Sequence, residues 1–137
     1  MSDKNPAHQI AALPMRRRRG KLEVLLITSR ETKRWVIPKG WPMEGRTDYN
    51  AAKQEAYEEA GVVGRISKKT IGHFDYMKRL KNGDGKQCRV EVFQLKVFGM
   101  KRLWPEKHER TRAWYSVEEA VAKVGEAGLK RLILEMV

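Results

Sequence analysis

The chain reads as a single α/β domain in which strands are interspersed with a central helix and a C-terminal helical segment. Three observations carry that reading. Leu22 to Thr28 (LEVLLIT) is a nearly continuous apolar run rich in branched residues, the pattern of a central strand covered on both faces. Ala51 to Ala60 is Ala-rich with high helix propensity, bounded by Thr47 or Asp48 as cap and by Gly61 as a left-handed stop. Gln87 to Phe98 alternates, with Val90, Val92, Leu95 and Val97 among its apolar residues, as a long strand should.

The other elements follow in order. Gln9 to Met15 is a strand running into a turn over Arg16 to Gly20. Trp35 to Ile37 is a short strand. Pro38-Lys39-Gly40-Trp41-Pro42 is then a loop that two prolines and a glycine keep out of regular structure. Val63 to Tyr76 holds one or two strands, interrupted at Gly64 and Gly72, and Lys81-Asn82-Gly83-Asp84-Gly85 is a turn. Ser116-Val117-Glu118-Glu119 is a capping box that opens a helix through Val124. A final helix from Glu126 puts Leu129, Leu132, Ile133 and Met136 on one face. No repeat or low-complexity linker divides the chain, so residues 1–137 are expected to form one domain, with 1–7 as a flexible tail.

Composition agrees. With 137 residues, 41% of them apolar, the chain can bury one core and is too short for two ordinary domains. No apolar run reaches membrane-spanning length, and Met1 to Leu13 lacks the charged-then-apolar pattern of a signal peptide, so a cytoplasmic location without membrane contact is expected. Cys88 is alone in an alternating strand and reads as a packing residue rather than a catalytic thiol. The net charge of +12 speaks about partners rather than fold. Basic residues cluster at Arg16 to Arg19, at Lys78, Arg79 and Lys81, at Lys101 and Arg102, and at Arg110 and Arg112. Together they favour a polyanion, whether nucleotide polyphosphate, inositol polyphosphate or RNA, and charge alone does not separate these.

The chemistry concentrates on the central helix. Glu55, Glu58 and Glu59 are three and four residues apart and share one face. A solvated Glu-rich face is the ordinary outcome for such a pattern. Three crowded carboxylates repel one another unless a cation sits among them, and a hard divalent ion that prefers oxygen donors suits the purpose. A strand, a Gly/Pro loop and an acid-faced helix in succession form the frame such a site needs.

The stretch from Gly40 to Val62, GWPMEGRTDYNAAKQEAYEEAGV, resembles the Nudix box: Gly, five residues, Glu, seven residues, Arg-Glu, an aliphatic residue, any residue, Glu-Glu, any residue, Gly, aliphatic. Gly40, Glu55, Glu58, Glu59, Gly61 and Val62 stand at matching positions. Arg46 replaces the first Glu and Gln54 replaces the Arg, while Ala56 is smaller than the usual aliphatic residue. Losing one member of a partly buried ion pair would strand a charge, whereas changing both leaves no orphan at the old pair. Arg46 could face Asp48, Glu44 or the substrate, and Gln54 can donate a hydrogen bond to a neighbouring glutamate.

The resemblance implies a Nudix-type α/β/α sandwich with a mixed central sheet. It also implies a metal-dependent pyrophosphohydrolase. Glu55 and Glu59 would hold Mg²⁺ or Mn²⁺ together with the backbone carbonyl of Lys39, and Glu58 would act as a metal ligand or as the general base. Members often recruit another acid from a later loop, for which Glu106 and Glu109 are the candidates. Trp35-Val36-Ile37-Pro38-Lys39-Gly40-Trp41 with Arg110-Thr111-Arg112-Ala113-Trp114-Tyr115-Ser116 resembles the branch that cleaves diphosphoinositol polyphosphates and diadenosine polyphosphates. By that likeness Arg112, with Arg110 as second choice, would bind substrate phosphate, and Thr28, Ser29 and Arg30 would contact it. Lys39 would place an ammonium beside the metal. An RNA 5′-end pyrophosphohydrolase and a catalytically weak ligand-binding protein are the alternatives, and a monomer or a homodimer is compatible with all three.

Overall fold

The computed structural model describes residues 5–136. Strand β1 (Ala7–Arg18) and strand β2 (Lys21–Thr28) form a hairpin whose two-residue turn is Arg19-Gly20, with both φ angles positive at 53° and 78°. Such a turn follows the twist of the flanking strands, and glycine takes the second position without strain. The turn is therefore shorter than expected: Arg16, Arg17 and Arg18 belong to β1 and pair with Glu23, Leu22 and Lys21. Residues 1–4 of the expected tail lie outside the described residues, and Ala7 is already in β1.

β1 and β2 are apolar on both sides because both sides are covered. Ile10, Ala12, Leu25 and Ile27 pack on one face with Ala51, Ala52, Ala56 and Ala60 of helix α1 (Asp48–Ala60). Ala11, Leu13, Val24 and Leu26 pack on the other with residues of α2 (Val117–Lys123) and α3 (Ala127–Leu134), among them Ala120, Leu129 and Ile133. Successive strand residues point to opposite faces, so each strand serves both layers. The result is the expected α/β/α sandwich. The four alanines of α1 let the helix backbone lie close to the sheet.

The sheet is mixed. Its path runs β3 (Trp35–Val36), β2, β1, β6 (Gly85–Met100), β5 (Val62–Arg79). β1 and β6 run parallel from Ala7 against Cys88 to Met15 against Lys96, and the other pairings are antiparallel. β5 is one long strand whose pairing with β6 slips near Gly64 and Gly72, where interruptions were expected. Cys88 is fully buried in β6.

Two short strands depart from the sequence reading. Lys39–Gly40 is β4, which pairs with Ile10 and Ala11 of β1 instead of staying out of regular structure. Pro38 and Pro42 flank Lys39-Gly40-Trp41, so proline chemistry limited β4 to two residues without abolishing it. Arg112–Ser116 is β7, which pairs with β2 from Ile27 to Glu23. Its residues are all only half-buried, too weak a pattern to announce a strand.

The C-terminus of α1 determines what the following loops can do. A helix leaves its last four carbonyls without partners. Here every one is met: Gly61 N–H donates to Tyr57 O (2.9 Å), Glu106 N–H to Glu58 O (3.0 Å), the Trp104 indole to Glu59 O (3.1 Å) and Arg112 to Ala60 O (2.8 Å). Arg112 also donates to Lys101 O at 2.8 Å, and its guanidinium lies 3.8 Å over the Trp104 ring. Arg112→Ala is expected to lower stability by about 3 kcal/mol, because it strands buried carbonyls and uncovers Trp104. A urea titration checks this. Arg112→Lys should recover little, since a point ammonium cannot span two carbonyls and stack.

Candidate active site

Closing α1 in this way folds segment 101–111 back over the acidic face of the helix. Glu106 arrives beside Glu58, and Arg110 follows it. Arg110 Nε donates to Glu106 Oε1 at 2.7 Å, its Nη1 donates to Thr28 O at 3.2 Å, and its Nη2 lies 3.8 Å from Glu59 Oε1. Both Arg110 and Glu59 side chains are about nine-tenths buried, at 9% and 10% exposure. On the other side, the backbone N–H of Lys39 in β4 donates to Glu59 Oε1 at 3.3 Å. A Cβ at Gly40 would collide with the Glu55 carboxylate, so glycine leaves that side chain its place beside β4.

These groups open onto one cleft of about 330 Å³. Glu55, Glu59 and Glu106 line it together with Arg30, Lys39, Lys78 and Arg110, and Trp41 and Tyr76 are its aromatic residues. The electrostatics are strained. Burial pushes the Glu55 carboxyl up to about 7, with further upward pressure from Glu58 and Glu106. Burial also pushes Glu59 up to about 7, against the opposing pull of Arg110. Withdrawal from water lowers the Lys39 ammonium from its ordinary value, partly offset by Glu59.

The donor set fits a hard divalent cation. It consists of oxygen donors only, partly withdrawn from water, with the Arg110 guanidinium against them. Among the described residues, no three His, Cys, Asp or Glu side chains already converge at metal-binding distance. Arg110 contacts both Glu59 and Glu106 and serves as their cation in this arrangement.

Of the residues singled out in the sequence, Glu55, Glu59, Lys39, Ser29, Arg30, Arg110 and Glu106 meet at the cleft. Others do not. Arg112 is committed to helix carbonyls and Trp104, so the first choice for a phosphate ligand gives way to Arg110. Thr28 is buried, and its hydroxyl accepts from Thr111 N–H at 2.9 Å, which leaves it a structural link between β2 and the loop. Glu109 lies off the cleft, paired with Arg30 at 3.4 Å. Glu58 is half-buried beside Glu55 but does not line the cleft.

Arg46 faces neither Asp48, Glu44 nor the cleft. It donates to Gln54 Oε1 at 3.4 Å, and both line a separate groove on α1 with Asn50, Lys53 and Tyr57. The two changed box letters thus remain partners, away from the carboxylates. Sequence reasoning missed Trp41 and Lys78 as cleft residues. Lys78 stood out only as one of a basic cluster, and nothing in its spacing shows that β5 carries it back to the β4 loop.

The chain matches the family described as NUDIX domain over residues 6–136. It is 34% identical over 106 residues to "Nudix hydrolase 13, mitochondrial" of Arabidopsis thaliana, covering 74% of this chain and 52% of that protein. It is 35% identical over 102 residues to "Diphosphoinositol polyphosphate phosphohydrolase 3-alpha" of Mus musculus, covering 72% and 58%. The chain spans about half the length of the curated relatives it matches. Among solved structures, a C. elegans Ap4A hydrolase binary complex superposes with a TM-score of 0.70 at 23% identity, covering 95% of this chain and 94% of that one. The NUDIX domain of Shewanella oneidensis NrtR complexed with ADP ribose gives 0.70 at 13% identity, covering 98% and 90%. These structural likenesses show a shared fold.

The raised carboxyls make stability depend on pH. Glu55 and Glu59 titrate near 7 when folded and near 4.5 when unfolded, so the folded chain holds these protons more tightly. The stability they contribute is complete below about pH 4.5 and is lost as pH rises through about 7. Without divalent ions, the Tm is expected to fall by about 5 °C between roughly pH 5 and pH 8. Thermal melts in EDTA check this, and the Glu55→Gln/Glu59→Gln variant should show a flatter profile.

Proposed function

The chain belongs to the Nudix family, and on that premise we propose that it hydrolyses a phosphoanhydride bond in a highly phosphorylated small molecule of the diphosphoinositol polyphosphate or diadenosine polyphosphate type, using Mg²⁺ or Mn²⁺. One observation carries the reading. Glu55, Glu59 and Glu106 share a single cleft with Arg30, Lys39, Lys78 and Arg110, so sites for a divalent cation and for several phosphates adjoin. The names of the mouse relative and the C. elegans structures support the two substrate types.

Glu59 and Glu106, with the Lys39 carbonyl, would hold the cation, and Glu55 lines the same cleft beside them. When bound, it neutralises phosphate charge and makes water more acidic. The chain's own groups do the rest. Arg110, Lys39 and Lys78 present positive charge to the phosphates, Arg110 with its fork engaged by Glu106, Thr28 and Glu59. A carboxylate must take the proton from the attacking water. Glu55 lines the cleft and Glu58 does not, which supports giving that step to Glu55, with Glu58 beside it keeping its proton affinity high. The net charge of +12 gives an RNA 5′ end as the second reading.

The test is a panel of diadenosine tetraphosphate, a diphosphoinositol polyphosphate and triphosphorylated RNA, each with Mg²⁺ and with EDTA. Hydrolysis of a small substrate is expected with Mg²⁺ and is expected to cease in EDTA. Glu55→Gln should lower kcat by roughly 10²- to 10⁴-fold with KM little changed. Glu58→Gln should cost less. Turnover of RNA alone would favour the second reading, and no turnover of any substrate would refute the proposal.

A further inference from the structure

Trp41 directly follows β4 and lines the cleft. Its side chain is 48% exposed although it is the largest apolar group on the cleft wall. The other aromatic residue there, Tyr76, is already committed: its hydroxyl donates to Gln9 Oε1 at 2.6 Å, and the Lys39 ammonium lies 5.0 Å from its ring centroid. Trp41 is different. Its one polar neighbour across the ring is the Lys78 ammonium, 5.5 Å from the ring centroid.

An exposed indole beside a lysine, at the edge of a cleft lined by further cations, matches the requirements of a nucleotide. The base has a π-face to stack, and the phosphates attached to it need positive charge a few ångströms away. We infer that Trp41 is the stacking platform for a nucleobase of the substrate, with Lys78 bridging from the base towards the phosphates held by Lys39 and Arg110. This rests on the reading of the cleft as a phosphoanhydride site and sharpens it: the substrate is a nucleotide, not an inositol derivative. Inositol polyphosphates and inorganic polyphosphate offer the same phosphates without an aromatic face.

Two measurements on the full chain test this. In the first, KM is compared for diadenosine tetraphosphate and inorganic tripolyphosphate in the wild type, Trp41→Ala and Trp41→Phe. The ratio of the two KM values should shift about 10-fold or more against the nucleotide in Trp41→Ala and return towards wild type in Trp41→Phe. An equal change for both substrates, or no change for the nucleotide, overturns the inference.

In the second, ATP with Mg²⁺ is titrated into the Glu55→Gln chain and followed by tryptophan fluorescence. Quenching that disappears in Trp41→Ala/Glu55→Gln, and that tripolyphosphate does not produce, supports the platform even if no substrate is turned over. Quenching of equal size by tripolyphosphate or by a diphosphoinositol polyphosphate refutes it, whatever the enzyme assays show.

Discussion

Closure of the α1 C-terminus is the interaction on which the rest of the site depends. Four helix carbonyls must find donors, and segment 101–112 supplies three of them through Glu106 N–H, the Trp104 indole and Arg112. Meeting that backbone requirement brings Glu106 and Arg110 over the acidic face of the helix as a consequence. A carboxylate and a guanidinium far along the chain thus join Glu55 and Glu59, with Arg110 Nη2 3.8 Å from Glu59 Oε1. Arg112 therefore builds the site from outside it, and Arg110, two residues earlier in the same segment, reaches inside.

The arrangement works against itself electrostatically. Burial under β4 and the 101–111 loop raises the proton affinity of Glu55 and Glu59, and one guanidinium must serve both Glu59 and Glu106. Stability alone would favour fewer acids here. Crowded carboxylates next to Lys39, Lys78 and Arg110 fit the proposed site, where a divalent ion and a polyphosphate would enter together, each neutralising what the other brings.

Much of this was legible in the sequence, for identifiable reasons. LEVLLIT is apolar on both faces, which requires a layer on each side of the sheet, and the caps Thr47, Gly61 and Ser116 with Glu119 bound their helices where local chemistry says they should. The three- and four-residue spacing of Glu55, Glu58 and Glu59 put them on one face. What escaped was set by tertiary contact. β7 has no strong pattern of its own and exists because β2 offers it a pairing edge. Arg110 and Arg112 are indistinguishable as letters; only the direction each side chain takes from the loop and β7 separates a cleft residue from a helix clasp. The choice of Glu106 over Glu109 depends on a backbone hydrogen bond to Glu58 that no spacing rule contains. Arg46 and Gln54 looked like damage to the site, yet they form a pair on another face of α1.

Half-buried Glu55 and buried Glu59 stand partly protonated where a divalent cation is proposed to bind. Titration calorimetry with Mn²⁺ near pH 7, in two buffers of different ionisation enthalpy, reads the protons displaced on binding. With Glu55 and Glu59 both titrating near 7, about one proton per ion should be released, falling towards zero above roughly pH 9. Binding without proton release near neutrality, or no binding at all, would contradict the account.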